Sequence, residues 1–493
     1  MRKMRTLVWF RGKDLRVADH APLREAAASG EVVPLFVLDP YFFAPARAQE
    51  LPHRMQFLLD SLRALQTALE ALGSRLLVVE GKSTEVVPRL ARQWRVDRVA
   101  AHWWTEPFAR ERDGRVRDAL AAHAIPFRLH EGETLLPPGT LRTGAGGPYT
   151  VFTPFARAFA RRAEIDRPLP APGSLPPLPA GVRAATVPIP TCESLGITRN
   201  PRVVRGGEPA ARERLRRFLG DGARAYDSRR NRLDLAGTSR LSADLKFGTL
   251  SARAVWNAVR DEVGASSAGR SFLNELVWRE FTHSTLWDRP ELLSRPFRAD
   301  FAGFPWRRDA RSWAAWTRGE TGYPVVDAAA RQLLAEGFVP NRARMIAASF
   351  LAKHLLLDYR LGEAHYMKYL TDGDWAQNNA GWQWSAGCGA DAQPYFRVFS
   401  PVLQGETWDP AGDYVRRFVP ELASVPAKHV HRPWEAPHEV LRAAGVVLGR
   451  TYPRPIVQHA WGRERFLAVA RDHLSEARNA GGRAASSRVR GAS

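Results

Sequence analysis

The pattern of strands and helices changes once along this chain of 493 residues, and the change limits the folds open to it. Over the first 135 residues, short apolar runs alternate with amphipathic helical segments. The runs predicted as strands are 6–10, 32–40, 74–81, 96–104 and 125–132. Strands that alternate with helices of this length indicate an α/β domain, a doubly wound parallel sheet with helices on both faces. Such sheets bind ligands at the carboxyl ends of their strands.

From about residue 206 the strand-like runs stop and helical periodicity dominates, which predicts an all-α domain over residues 206–476. The helices predicted there include 211–219, 252–263, 270–286, 324–337 and 341–359. Residues 136–205 are interpreted as an interdomain connector, because the proline-rich part from Asp166 to Pro201 favours extended chain. The small, polar and basic residues 477–493 are predicted to form a disordered tail.

Charge and cysteine content narrow the function classes. Lys and Arg number 72 against 51 Asp and Glu, and the resulting net charge of +21 attracts polyanions such as DNA. Two isolated cysteines, Cys192 and Cys388, make neither a disulfide framework nor a metal site, and they fit a reducing cytoplasm. The histidines of 429–435 and 459–465 match no metal spacing, so no metal is predicted. No apolar run is long enough to cross a membrane.

Two stretches point to a bound ligand. Residues 371–401 (TDGDWAQNNAGWQWSAGCGADAQPYFRVFSP) mix carboxylates, carboxamides and indoles. Polar groups buried among indoles must be hydrogen-bonded, which favours a flat, polar, aromatic ligand over a helix end packed between other helices. Residues 237–245 (GTSRLSADL) place hydroxyls and an arginine before a helix, a pattern that predicts an anion site or, alternatively, a simple helix cap.

These stretches, with LVWFRGKDLRVADH, SFLNELVWREF, TGYPVVDAAARQL and NRARMIAASFLAKHLL, resemble the photolyase/cryptochrome family in order along nearly the whole chain. The resemblance is strongest to class I cyclobutane-pyrimidine-dimer photolyases. It implies a DNA repair flavoprotein, a lyase in which reduced FAD passes one electron to a dimer flipped out of UV-damaged DNA under blue light. The alternatives are a cryptochrome-type photoreceptor, a (6-4) or single-strand-specific photolyase, and a colourless basic DNA-binding module.

The resemblance also implies roles for particular residues. The cofactor-binding set is Tyr226, Thr238, Ser239, Arg240, Leu241, Ser242, Phe272, Arg344, Asp372, Gly373, Asp374 and Asn378. The DNA-binding set is Arg230, Glu275, Trp278, Asn341, Arg342, Trp384 and Gln404, and the catalytic set is Glu275, Met345, Asn378 and Trp384. We expect Arg344 to pair with Asp374 and Asn378 to face flavin N5, where a neutral carboxamide favours repair over signalling.

The resemblance implies two further features. A chain of three aromatic residues, Trp382, Tyr359 and Trp306, is expected to carry electrons to the flavin. Relatives have tryptophan where Tyr359 stands, so we expect photoreduction to be slower or rerouted, through Trp375 or another tryptophan. An antenna chromophore, a folate or a deazaflavin, is implied for the α/β domain, but Ala109 stands where folate-binding relatives have a glutamate. We expect a cytoplasmic monomer that associates with the nucleoid when bound to DNA.

Overall fold

The computed structural model describes residues 3–183, 185–392 and 394–490, the side chains of residues 480–490 excepted. Its chain forms two compact units. Unit 1 comprises Met1–Ser228, Thr238–Pro290 and Lys368–Ala376, and unit 2 comprises Arg229–Gly237, Glu291–Met367 and Gln377–Ser493. Unit 1 therefore continues past the expected boundaries at residues 135 and 205, which stay a prediction.

Unit 1 contains the predicted parallel sheet. Its strands are β1 (Met4–Phe10), β2 (Gly30–Leu38), β3 (Leu77–Glu80), β4 (Arg98–His102) and β5 (Phe127–His130), in the order β3-β2-β1-β4-β5. Every pairing is parallel, and Thr6 of β1 lies between Val32 of β2 and Arg98 of β4. The strand order reverses between β1 and β4, so the carboxyl ends of these two strands form the crevice where doubly wound sheets bind ligands.

Helices cover both faces of this sheet, because successive strand residues point to opposite sides. Val8 packs in one core with Phe57 and Leu62, and its neighbour Leu7 packs in the other with Val87. The helices of unit 1 are α1 (Ala21–Ser29), α2 (Pro40–Phe43), α3 (Pro45–Gln49), α4 (Pro52–Ala71), α5 (Ser83–Gln93), α6 (Pro107–Ala121), α7 (Phe152–Arg162), α8 (Glu208–Arg217), α9 (Tyr226–Arg229), α10 (Ser242–Phe247), α11 (Ala252–Val263) and α12 (Ser267–Asp288). The predicted two-layer cover of helices is confirmed.

The proline-rich part of the connector packs along the α/β part of unit 1. The backbone N–H of Leu175 donates to the carbonyl of Leu72 at 2.6 Å, and that of Val187 donates to Val78 of the edge strand β3 at 3.0 Å. Cys192 and Ile197 are buried in the same core as Val8. The connector thus covers an otherwise open sheet edge, which protects that edge from pairing with other chains.

Unit 2 is helical. Its helices are α13 (Ala310–Arg318), α14 (Pro324–Glu336), α15 (Asn341–Ser349), α16 (Tyr359–Tyr369, which ends in unit 1), α17 (Trp375–Ala386, which begins there), α18 (Pro401–Trp408), α19 (Asp413–Phe418), α20 (Ala427–Val430), α21 (His438–Ala443) and α22 (His459–Arg490). The all-α prediction for the C-terminal half is confirmed.

One helix prediction in unit 2 is wrong. The helix predicted over 341–359 ends at Ser349, passes through a π-helical turn at Phe350–His354, and is broken at Leu356, whose φ is +57°. Asp358 then starts α16, since its Oδ1 accepts a hydrogen bond from the N–H of Arg360 at 3.0 Å. Apolar periodicity continues across this break, so the sequence pattern alone does not show it.

The last helix, α22, runs to Arg490, and the predicted disorder of residues 477–493 stays a prediction. Residues 491–493 lie outside the described residues. Within the described part of the chain, no helix combines the length and the apolar character needed to cross a membrane.

Candidate functional site

Asp374, one of the predicted cofactor residues, lies in a buried ionic cluster of unit 1. Its Oδ2 accepts a hydrogen bond from Lys13 Nζ at 2.9 Å, and the same ammonium forms ion pairs with Glu106 and Glu133. All four side chains are buried, with at most 5% of each residue exposed. Burial alone would raise the pKa of Asp374, but Lys13 holds it well below its usual range. Asp374 is therefore a fixed negative charge.

Lys13 is a site residue that the sequence reasoning missed. It follows β1, 361 positions before Asp374. Burial lowers the pKa of a lysine, but Asp374, Glu106 and Glu133 together raise that of Lys13 above its ordinary value, so it stays charged. Glu133, His283 and Asp374 also have the spacing of a metal site. Lys13 supplies one cation to this group of three carboxylates.

Glycine between the two predicted carboxylates leaves room for an arginine side chain. A Cβ at Gly373 would overlap the guanidinium of Arg54, another buried residue of unit 1. Burial lowers the pKa of Arg54 to about 10, against the raising effect of Asp372 and Asp374. The close approach of Arg54 to the backbone therefore keeps a second cation beside this acidic segment.

The predicted anion site lies in a turn of unit 1. Thr238–Leu241 precede α10, and Arg240 adopts a left-handed conformation with φ +56°. Ser239 Oγ accepts a hydrogen bond from the N–H of Leu241 at 3.4 Å. Partly exposed hydroxyls beside a left-handed residue and the free N–H groups of a first helical turn form a cradle for phosphate oxygens. The residues present thus fit a diphosphate group.

Aromatic side chains surround the α12 part of the predicted site. Tyr226 and Phe272 are in edge contact, with ring centroids 5.1 Å apart. Trp278 stacks on Phe152 with centroids 3.6 Å apart and an interplanar angle of 6°. Phe152, which the sequence reasoning missed, therefore covers one face of the indole. Trp278 is partly exposed, as is Glu275 one turn earlier on the same helix, so only its other face can meet a base.

In unit 2, the orientation of Asn378 on α17 is set by a hydrogen bond. Its Nδ2 donates to the carbonyl oxygen of Glu363 at 3.0 Å. Only the amide nitrogen can donate to a carbonyl, so this contact leaves Asn378 Oδ1 as the acceptor. The next residue, Asn379, donates to the carbonyl of Leu292 at 2.9 Å and to Glu363 Oε1 at 3.0 Å. Burial raises the pKa of Glu363 to about 7.

Several predicted DNA-binding residues lie together in unit 2. Arg342 donates to Asn231 Oδ1 at 3.0 Å, and its guanidinium lies 4.8 Å from the ring centroid of Trp408. Trp408 Nε1 in turn donates to Gln404 Oε1 at 3.3 Å. Burial and then the charge of Arg230 lower the pKa of Arg342, as expected for two nearby cations. Asn231 and Trp408 were missed, because neither belongs to a recognised motif.

The remaining predicted residues of unit 2 stand as follows. Asn341, exposed at the start of α15, donates from Nδ2 to Met345 Sδ at 3.6 Å. Trp384 is partly exposed on α17. Arg344 donates to the carbonyl of Val339 at 2.7 Å. Its expected pairing with Asp374 stays a prediction, since the two residues belong to different units.

Comparison with known proteins connects these features. Residues 6–174 match the family model described as DNA photolyase, and residues 272–472 match the FAD binding domain of DNA photolyase. Proteins named deoxyribodipyrimidine photo-lyase from Agrobacterium fabrum and Thermus thermophilus are each 40% identical to the chain; each alignment covers 94% of it, and 97% and 98% of the relatives. The chain belongs to the DNA photolyase family. The cofactor of its C-terminal domain is accordingly FAD.

Solved structures of the photolyase family agree with the fold. A class III photolyase from Agrobacterium tumefaciens has a TM-score of 0.89 at 38% identity, with 97% of this chain and 98% of that one covered. A cryptochrome from Synechocystis has a TM-score of 0.87 at 30% identity, with 95% of this chain and all of that chain covered. The similar structures thus include a photolyase and a cryptochrome. The residues of the site therefore have to distinguish a repair function from a signalling function.

Proposed function

We propose that this chain is a deoxyribodipyrimidine photo-lyase, which repairs cyclobutane pyrimidine dimers in UV-damaged DNA under light. The observation that carries the proposal is identity of 40% over 94% of the chain to proteins of that name. When bound, reduced FAD supplies the electron that opens the cyclobutane ring. The residues of the chain bind this cofactor, extrude the lesion and hold it in place.

The cofactor contacts follow from the chemistry of the side chains. The Thr238–Ser242 turn takes the diphosphate on its hydroxyls and free N–H groups. Asp374, kept negative by Lys13, and Asp372 accept hydrogen bonds from the flavin ring and its ribityl chain. Asn378 Oδ1, the acceptor left by the contact with Glu363, accepts a hydrogen bond from N5–H. A neutral acceptor at N5 adds no charge there, and this supports repair chemistry.

The lesion contacts use flat and basic groups. The free face of Trp278 and the partly exposed Trp384 stack on the two flipped pyrimidines. Glu275 accepts a hydrogen bond from a base N3–H, Asn341 supplies further polar contact and the polarizable Met345 fills the remaining space. Arg230, Arg342 and Gln404 hold the DNA strand beside the lesion. Taking a damaged pair out of the stack costs a few kcal/mol, less than for an intact pair.

Two residue patterns weigh against the other family activities. The carboxamide at Asn378 lacks the titratable charge that would favour a photosensory cycle. The NRARM segment (341–345) carries no histidine, so the acid–base group that a (6-4) photoproduct requires is missing at that position. A non-enzymatic DNA-binding module is excluded by the FAD-binding domain.

We also propose an antenna site at the crevice between β1 and β4. Ala109 is fully buried on α6 and offers no carboxylate for a folate. Arg11 and Trp104 follow the two strands and are at most 5% exposed. Three of their donor atoms, Arg11 Nε, Arg11 Nη2 and Trp104 Nε1, have no hydrogen-bond partner among the described residues. Such donors fit the polar edge of a deazaflavin or flavin. An archaeal photolyase from Sulfolobus tokodaii, 27% identical, was solved with two FAD molecules.

A repair assay tests the proposal. Dimer-containing duplex and single-stranded oligonucleotides are incubated with the reduced protein in the dark and under blue light, and restored thymines are counted. We expect the protein to be a monomer and to repair the duplex substrate only in light. We also expect it to act in the cytoplasm, on the DNA of the nucleoid. Absence of repair in light would reject the photolyase proposal, and repair of (6-4) products or of single strands alone would favour those specialised activities.

A further inference from the structure

Trp382 of unit 2 is part of a line of tryptophans that reaches the surface. Its ring centroid lies 6.0 Å from that of Trp316, at an interplanar angle of 70°. Trp316 in turn lies 5.6 Å from Trp313, nearly parallel at 20°. Trp382 and Trp316 are buried, with 3% and 1% exposed, while Trp313 is partly exposed. The last two rings lie on one face of α13, three positions apart.

The expected route through Tyr359 is less favourable. Tyr359 lies 6.2 Å from Trp306, but within the described part of the chain no ring contact joins it to Trp382. A phenol is oxidised readily only if its proton can leave to a base or to water. The Tyr359 side chain is 3% exposed and is hydrogen-bonded to the thiol of Cys388. Burial raises the pKa of that thiol to about 12, so near neutral pH the thiol keeps its own proton and cannot accept another.

Tyr366 is the other ring in contact with Trp382, at 5.2 Å. Its hydroxyl is buried and has no hydrogen-bond partner among the described residues, and burial raises the pKa of the phenol. The hydroxyl proton of Tyr366 therefore also lacks an acceptor among the described residues. An indole differs, because it can lose an electron and keep its N–H proton until the charge reaches water.

We propose that light-driven reduction of the flavin draws its electron through Trp382, Trp316 and Trp313, bypassing Tyr359 and Trp306. This branch rests on the proposed function and on the family resemblance, which implies that Trp382 passes electrons to the flavin. Each tryptophan is close enough to its neighbour for direct electron transfer between rings, and every member is an indole.

The energetics direct the positive charge outward. Trp382 loses one electron to the light-excited oxidised flavin and regains one from Trp316, which regains one from Trp313. Trp316 Nε1 donates to the carbonyl oxygen of Ala347 at 3.2 Å, a contact that stabilises the transient cation but removes no proton. A charge is better solvated at the partly exposed Trp313 than in the core. There water takes the Nε1 proton, and a soluble thiol restores the neutral indole by giving one hydrogen atom.

Four phenylalanine variants test the branch: Trp313→Phe, Trp316→Phe, Tyr359→Phe and Trp306→Phe. Flavin reduction is followed by absorbance under anaerobic blue light with dithiothreitol, and transient absorption follows the indole radical. We expect Trp313→Phe and Trp316→Phe to slow photoreduction about tenfold or more, and the other two to change it by less than about twofold. Of the two variants at partly exposed tryptophans, Trp313→Phe and Trp306→Phe, only Trp313→Phe should lack the long-lived indole radical.

Chemical reduction separates this inference from the proposed function. Each variant, reduced with dithionite, should repair dimers at the rate of the parent protein, because repair by reduced flavin needs no relay. Trp313 is partly exposed, so its replacement keeps the test valid if Trp316→Phe fails to fold. Normal photoreduction in Trp313→Phe, or its loss in Tyr359→Phe or Trp306→Phe, would overturn the branch. Loss of repair in the dithionite-reduced parent protein would instead overturn the photolyase proposal.

Discussion

At the scale of single residues, Lys13 is the main cation of the buried acidic cluster. Replacement by methionine would leave Glu106, Glu133 and Asp374 close together without their shared ammonium. Loss of one partner from a buried ionic group costs about 3–5 kcal/mol, so we expect Lys13→Met to lower the free energy of unfolding by that amount. Urea unfolding measures it. Lys82→Met is the matched control, since its ion pair with Glu85 is 70% exposed on both sides.

A change of the Lys13→Met variant no larger than that of the control would contradict the role given to the cluster. We expect the control to alter the free energy of unfolding by less than about 1 kcal/mol, as is usual for exposed ion pairs. FAD content is measured in parallel, because Asp374 would no longer be held in its charged form.

Glu363 predicts a pH dependence of stability. Its pKa is raised by burial to about 7 in the folded protein, so the folded state keeps a proton that the unfolded chain releases above about pH 4.3. The stabilising contribution is complete below the unfolded pKa and is lost as pH rises to about 7. The side chain of Glu363→Gln cannot ionise, so the variant does not lose this stability as pH rises. Relative to the parent protein, we expect the variant to gain about 1–3 kcal/mol between pH 4.5 and 7.5.

Denaturant unfolding at several pH values checks the sign of this effect. Glu320→Gln is the control, because Glu320 is 47% exposed in its ion pair with Arg318, and its replacement should change the free energy of unfolding little at every pH. A difference between Glu363→Gln and the parent protein that stays constant as pH rises would contradict the raised pKa of Glu363.

The residues of the site differ in how far sequence could predict them. Asp374, Asn378 and the Thr238–Ser242 turn stand in stretches that resemble motifs of the family, so roles for them could be proposed from the sequence. Lys13 and Phe152 could not be found in this way, because their roles come from contacts made across long stretches of chain: Lys13 with Asp374, and Phe152 with Trp278. No local pattern records such a contact.

At the scale of elements, the turn before α10 holds one residue in a strained conformation. Arg240 has φ +56°, a conformation that costs an L-residue about 1–2 kcal/mol and glycine much less. Arg240→Gly should therefore leave the unfolding free energy of the FAD-free protein within about 1 kcal/mol of the parent value. If Arg240 pairs with the diphosphate, the variant should bind FAD about 10–100-fold more weakly, the equivalent of one charge-assisted hydrogen bond.

Fluorescence titration of the FAD-free protein with FAD measures this affinity. Arg224→Ala, on an exposed arginine paired with Glu262, is the control and should bind FAD as the parent does. Unchanged affinity in Arg240→Gly would remove this arginine from the diphosphate site, and a marked loss of stability would show that its side chain has a structural role.

Element boundaries show where periodicity succeeds as a predictor. The helix predicted over 252–263 is α11 with the same limits, since Ser251 caps its start and the apolar positions keep one face. The helix predicted over 341–359 was too long, because apolar spacing does not reveal the π-helical turn at Phe350–His354 or the left-handed Leu356. Those two features are set by tertiary packing.

At the scale of the whole molecule, the net charge of +21 predicts binding to DNA that weakens steeply with salt. Arg230, partly exposed in unit 2, is expected to contact a phosphate. We expect Arg230→Ala to weaken binding to dimer-containing DNA and to reduce the slope of log affinity against log salt by about 1. Arg115→Ala, an exposed residue paired with Glu111 on α6, should keep the parent slope. Equal slopes for both variants would place Arg230 off the DNA.

The order of the two fold types along the chain could be predicted from sequence, because strand runs stop where helical periodicity takes over. The division into compact units could not. Unit 1 includes helices up to Pro290 and the short segment Lys368–Ala376, which carries Asp372 and Asp374. Contacts between distant segments decide that division, and the sequence pattern is silent about them.

The most direct test of the account is the light-dependent reversal of dimers by the purified, FAD-loaded and chemically reduced protein. A duplex oligonucleotide with one thymine dimer is illuminated with the protein, and the dimer is quantified by chromatography. The account predicts dimer loss in light, none in the dark, and a strong reduction in Glu275→Gln and Trp384→Phe, whose side chains we propose to contact the lesion. Equal dimer content in light and dark, with FAD bound and reduced, would contradict it.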